Sequence, residues 1–137
     1  MCVREDEGSL LWDKLAILAP LALATTALGA PLGGVRSEPA WLSRLERTQR
    51  EVVAVARAEG VEVDEASLRA MYASAPDTMR SSMQKDVAAG REPELDAIAG
   101  PILRAGERHR IDVSATRELA ALVSANRRRG DASGRTA

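Results

Sequence analysis

The run from Leu15 to Val35, 21 consecutive uncharged residues in a chain of 137, constrains this fold more than any other feature. Such a run is long enough to cross a bilayer. Pro20, Gly29, Pro31 and the Gly33-Gly34 pair interrupt it, however, which predicts a helix of about four turns followed by a turn region. Its approach and first half, with Leu10, Leu11, Leu15, Ile17, Leu18, Leu21 and Leu23, are apolar on nearly every face. The pattern therefore predicts a helix buried at the centre of a soluble fold. Arg4, Glu5, Asp6 and Glu7 make the leading segment acidic, where an export signal would be basic. The lone Cys2 excludes an internal disulfide, and these features together predict a cytoplasmic protein with no membrane span.

The remainder reads as partners for that helix. Trp12, Trp41 and Tyr72 are the only aromatics, so the core must be built from Leu, Ala, Val, Ile and Met, a set that favours helices. Ser37-Glu38-Pro39 is expected to start a helix, with the serine as cap, that runs through Leu42, Leu45, Val52, Val53 and Val55 to Gly60. Asp64 is expected to cap a short helix through Leu68, Met71 and Tyr72 that ends near Pro76, and Asp77 or Thr78 to cap the next, which stops at Gly90. Pro93 opens another, with Ile98, Ile102 and Leu103 as its apolar stripe, and Ser114 is expected to cap a last one through Leu119, Leu122 and Val123. Only Val61-Glu62-Val63 alternates like a strand, and it is too short to count. The expectation is an all-α domain, a compact bundle of about six helices, over residues 9–127. Residues 1–8 read as a loose lead-in and 128–137 as a disordered tail.

Several chemistries are disfavoured at once. A formal net charge of −1 gives no field to attract nucleic acid, and no row of aromatics offers bases a stacking surface. One cysteine and one histidine, His109, cannot assemble a Cys/His zinc site. The glycines between 29 and 34 do not form a dinucleotide-binding loop, because they lack the glycine spacing and do not join a strand to a helix. What remains is a spaced polar set. Lys14 precedes the apolar helix, Ser81, Ser82 and Asp86 lie in one helical segment, and Glu94 follows Pro93 in the first turn of another.

Each has a structural and a functional reading. Lys14 either snorkels from its helix to water or meets a substrate oxygen as proton donor. The two serines either cap the backbone or hydrogen-bond a substrate carboxylate at a helix N-terminus. Asp86, four residues beyond Ser82, either orients that hydroxyl or pairs with a basic neighbour. Glu94 is either an ordinary helix-start carboxylate or a ligand for a substrate hydroxyl. Asp96 reads as structural, and Gly100 as a site of close helix approach.

Trp12-x-Lys14, the region from Thr25 to Gly34, Glu51 to Ala56 leading to Glu59-Gly60, Ser81-Ser82-Met83-x-x-Asp86, Glu94-x-Asp96 and Gly100, in this order, resemble the C-terminal helical domain of ketopantoate (2-dehydropantoate 2-) reductases. The resemblance implies NADPH-dependent reduction of 2-dehydropantoate to pantoate, a step of pantothenate biosynthesis. Lys14 would be the general acid at the C2 oxygen, Ser82 a substrate contact and Glu94 an orienting group. Four and eight residues after the lysine, where many members carry substrate-binding asparagines, this chain has Leu18 and Ala22, which suggests a divergent branch. The family's nucleotide-binding domain has no counterpart here, so NADPH has no expected site within this chain. Two functions stay open. One is the substrate-binding and catalytic part of an oxidoreductase, acting on a small 2-keto acid with a separate nucleotide-binding domain and probed through Lys14. The other is a non-catalytic helical module that dimerises with a second copy or binds a partner.

Overall fold

A computed structural model of the chain describes residues 3–89 and 95–136. Seven helices occur among them: α1 (Val3–Leu28), α2 (Leu32–Ser37), α3 (Pro39–Ala58), α4 (Glu65–Ser74), α5 (Ser82–Ala88), α6 (Leu95–His109) and α7 (Ser114–Thr136). No strand is present among the described residues, so the all-α expectation holds. Among the described residues α1 begins at Val3 and α7 runs to Thr136. After Pro101 the sequence has no proline that would stop α7.

Helix α1 is the hub, packing against α2, α3, α5, α6 and α7. Ala19, Leu23, Ala24 and Thr25 are fully buried, and they meet Val52, Val55 and Ala56 of α3, Ile102 and Ala105 of α6, and Leu119 and Val123 of α7 in one core. The stretch Leu10–Leu28 is apolar and long enough to cross a membrane, yet 67% of its most apolar window is buried inside the fold. Its hydrophobicity is thus already used by the other helices.

Pro20 lies inside this helix without ending it. A proline within a helix removes one N–H and presses its ring against the carbonyl four residues back, which opens the ladder locally. The phenol of Tyr72, on α4, fills the opening. Its oxygen accepts the Leu21 N–H at 2.9 Å and its proton goes to the Ile17 carbonyl, so the hydroxyl sits between two groups that would otherwise pair with each other. Burial pushes the phenol's ionisation well above the ordinary tyrosine value, against the opposing hydrogen bond from Leu21, so it remains a neutral donor.

Gly33 and Gly34 lie within α2 rather than in a turn. A Cβ on Gly33 would come within 2.6 Å of the Asp77 Cβ, so the glycine is what lets the chain between α4 and α5 lie against α2. That close approach satisfies backbone groups on both sides. Leu32 and Gly33 donate their N–H groups to the carbonyls of Met79 and Asp77, both at 2.9 Å. From the other end of α2, Arg36 reaches the carbonyls of Tyr72 (2.9 Å), Ala73 (3.2 Å) and Ala75 (2.6 Å), capping the C-terminus of α4.

The predicted helix starts divide. Asp64 caps α4, accepting the Ser67 N–H at 3.1 Å, as its position in the sequence predicts. Ser37 does not cap α3: its hydroxyl bonds the Gly34 carbonyl, and Glu38 stands at the cap position. Nor is Ser114 the principal cap of α7. Glu51 of α3 accepts the N–H groups of Ala115 (2.9 Å) and Thr116 (2.8 Å) and the Thr116 hydroxyl (2.7 Å), while Asp112 accepts Ser114 N–H at 2.9 Å. A carboxylate from another helix thereby does the work expected of a local serine.

Three helices end with the next-but-one amide reaching back five residues: Ala30 to Thr25, Val61 to Ala56 and Ile111 to Gly106. This closure needs a left-handed residue in between. Gly29 and Gly60 supply it at φ 76° and 87°, but the third position is Arg110 at φ 56°. Arg110→Gly is therefore expected to stabilise the protein by about 1 kcal/mol in urea unfolding. Tyr72→Phe is expected to cost about 1–3 kcal/mol, because Leu21 N–H and Ile17 C=O lose their partner together. The cost should shrink when Pro20→Ala lets the ladder close, a coupling that a double-mutant cycle reads directly.

Candidate functional site

The chain from Ala75 to Ser81 is fixed at both ends, by Arg36 at its start and by its own cap at its end. Ser81 is the N-cap of α5: its hydroxyl accepts the Gln84 N–H at 3.0 Å. The expectation of Asp77 or Thr78 as cap is thus corrected, since both precede the helix by several residues and the chain between them is held to α2. The Ser81 oxygen also lies 3.4 Å from the Thr25 hydroxyl of α1, which itself donates to the Leu21 carbonyl at 2.7 Å. With the Thr25 proton committed, the Ser81 hydroxyl is left to donate across this gap.

These connections leave a groove of about 200 Å³ between α1, α5 and α6. Leu18, Leu21 and Ala22 line it from α1, Arg80, Ser81, Met83 and Asp86 from the loop and α5, and Ile98 from α6. A second, almost wholly apolar groove of about 260 Å³ adjoins it. Leu18, Leu21 and Arg80 belong to both, so Arg80 lies where the two meet.

Of the residues singled out from sequence, Ser81 and Asp86 come together in the groove wall. Ser82 is the first residue of α5, adjacent to them along the backbone. Lys14 is exposed on α1 and does not line the groove. It lies four residues before Leu18, on the same helix face and about 6 Å along the axis from it. It has no hydrogen-bond or ion-pair partner among the described residues. Glu94 lies outside the described residues.

Arg80 and Ile98 were not assigned to a site from sequence, and Leu18 and Ala22 entered only as replacements at positions where the resemblance expects substrate-binding asparagines. Arg80 heads the run that carries Ser81 and Ser82, and that adjacency was the available signal. The two outlying features have structural roles. His109 is not simply solvated: its ring bonds Glu59 at 2.6 Å, and together with Arg108 at 2.9 Å it holds the Glu59 carboxyl below its ordinary range. Gly100 lies beneath the side chains of Asp96 and Arg104 of its own helix, which are 3.4 Å apart. No group of three His, Cys, Asp or Glu suited to a metal occurs among the described residues.

The family model described as ketopantoate reductase PanE/ApbA C terminal matches residues 9–127. The chain belongs to this family. Among curated relatives, a 2-dehydropantoate 2-reductase of Caulobacter vibrioides is 35% identical over 126 residues, covering 90% of this chain and 43% of the relative. One of Halobacterium salinarum is 32% identical over 122 residues, covering 88% and 40%. The chain thus spans about two-fifths of the length of these relatives. Among solved structures, a PanE/ApbA family ketopantoate reductase of Ralstonia eutropha superposes with a TM-score of 0.78 at 30% identity, over 90% of this chain and 42% of that one. A dimeric ketopantoate reductase of Staphylococcus aureus shares the fold at 22% identity, with a TM-score of 0.78 over 89% and 44%.

The cap role of Ser81 is separable from any ligand contact. Ser81→Ala is expected to lower stability by about 1 kcal/mol in chemical denaturation, from loss of the cap bond to Gln84. Ser81→Asp, which keeps an acceptor at the cap position, should recover much of that loss.

Proposed function

We propose that this chain is the substrate-binding and catalytic half of an oxidoreductase that reduces a 2-oxo acid of the 2-dehydropantoate type. One observation carries this reading: Lys14, without a partner among the described residues, stands on the face of α1 that also forms one wall of the groove, whose other wall includes Arg80, Ser81 and Asp86. A guanidinium suits a carboxylate, and an ammonium a turn away suits a carbonyl oxygen that gains charge as it is reduced. In this reading Lys14 gives its proton to that oxygen. Ser82 and Glu94 are assigned substrate contacts on the strength of the family pattern.

The residues present do not make a nicotinamide cofactor site. The described residues form no strand, and the N–H groups at the start of the glycine-containing α2 are already taken by the carbonyls of Asp77 and Met79. NADPH is therefore assigned to a separate nucleotide-binding domain. Leu10, Leu11, Ile17, Met71 and Met79 are large apolar side chains left exposed on α1, α4 and the loop before α5, suiting contact with such a domain. The same surface supports a second reading, a non-catalytic module that pairs with a second copy or another partner. Both readings place the chain in the cytoplasm, without nucleic acid or membrane.

Mixing the chain with the separately produced nucleotide-binding domain of the Caulobacter relative tests the choice. NADPH oxidation with 2-dehydropantoate or another 2-oxo acid should appear only in the mixture, and Lys14→Ala should reduce it about 10²- to 10⁴-fold. Activity that survives Lys14→Ala would remove the proton-donor role. A stable dimer together with an inactive mixture would favour the module.

A further inference from the structure

Resting on the reading that this groove holds a 2-oxo acid, we propose that the acid it takes has an apolar tail, and that Leu18, Ala22 and Ile98 set this preference. The charged and hydroxyl groups of the groove, Arg80, Ser81 and Asp86, all come from the loop and α5. What α1 and α6 present is Leu18, Leu21, Ala22 and Ile98, and α5 adds Met83. The aliphatic four can neither donate nor accept a hydrogen bond, and a thioether accepts only weakly.

The Leu21 backbone and the Thr25, Tyr72 and Ser81 hydroxyls are committed as well. The Leu21 N–H goes to Tyr72 and the Leu21 carbonyl to Thr25. The Tyr72 hydroxyl, in the adjoining groove, is used in both directions along α1. Ser81 accepts from Gln84 and faces Thr25. A hydroxyl on the substrate tail would give up water without finding a partner among the described α1 and α6 residues of the groove wall. Burial without that partner disfavours it against a methyl group of similar size. The carboxylate end meets the opposite condition, because Arg80 has no partner among the described residues and stands open to both grooves.

A matched pair of acids tests the preference. Trimethylpyruvate is 2-dehydropantoate with a methyl group in place of the hydroxymethyl group, so the two differ by one hydroxyl at nearly equal size. Each is titrated into the isotope-labelled chain while backbone amide shifts are followed by NMR. Trimethylpyruvate is expected to shift the amides of Leu18, Ala22 and Ile98 and to bind about ten- to a hundredfold more tightly. Leu18→Asn places an amide on the half-buried part of the wall and should narrow the difference several-fold. Ala22→Asn adds the amide one turn along and serves as the independent check, with folding of each variant verified by circular dichroism. Equal or tighter binding of 2-dehydropantoate by the unaltered chain overturns the tail preference while the substrate-half reading stands. Absence of groove shifts with either acid overturns both.

Discussion

One buried hydroxyl lets the central helix do its work. Five other helices pack on α1, and they can do so only if it remains helical through Pro20. The Tyr72 phenol makes that continuity affordable, accepting from Leu21 and donating to Ile17 at the place where a proline weakens the ladder. It can fill both roles because a neutral phenol both donates and accepts, and burial disfavours its ionisation further. The same contact ties α4 to the middle of α1. The chain that leaves α4 toward Ser81 therefore begins from a fixed point.

From that point the fold is fastened by polar side chains reaching between elements. Arg36 closes the end of α4, Ser81 opens α5, and Glu51 opens α7 from α3. The ion pair of Arg36 with Asp77, at 2.6 Å, involves a carboxylate whose side chain is 80% exposed, so its Coulomb energy is largely screened. The bonds to partly buried carbonyls matter more, because those groups would otherwise lack partners at a helix end. Each fastening satisfies donors or acceptors that helix geometry leaves open.

This separates residues that the fold requires from those it leaves free. Ser81 belongs to the run that marks the family, yet its hydroxyl has a sufficient structural reason to be there. Lys14 and Arg80 have none: neither has a partner among the described residues, and both stand beside the groove. In the proposed function these are the charges that meet the substrate. The apolar walls beside them restrict which ligand gains from that contact.

Much of this was legible in sequence because it depends on local backbone chemistry and on the amount of apolar surface. An uncharged run longer than the rest of the chain could leave exposed had to become the buried hub, Asp64 had to cap where it stands, and Gly60 had to end α3. The ordered polar set was sufficient to point to the family, which the match over residues 9–127 establishes. What sequence could not supply were pairings between residues far apart in the chain. Pro20 and Gly33 read as breaks until Tyr72 and Asp77 are seen against them, and Ser114 read as a cap until Glu51 is seen at the helix it serves. By itself the sequence determined that the protein is helical, what lies at its centre and which family it joins, since composition, periodicity and motif order are carried locally along the chain. Only the tertiary structure decided which polar residues are spent on holding helices together and which remain free beside the groove, because a hydrogen-bonding group's availability depends on the partners that folding brings to it.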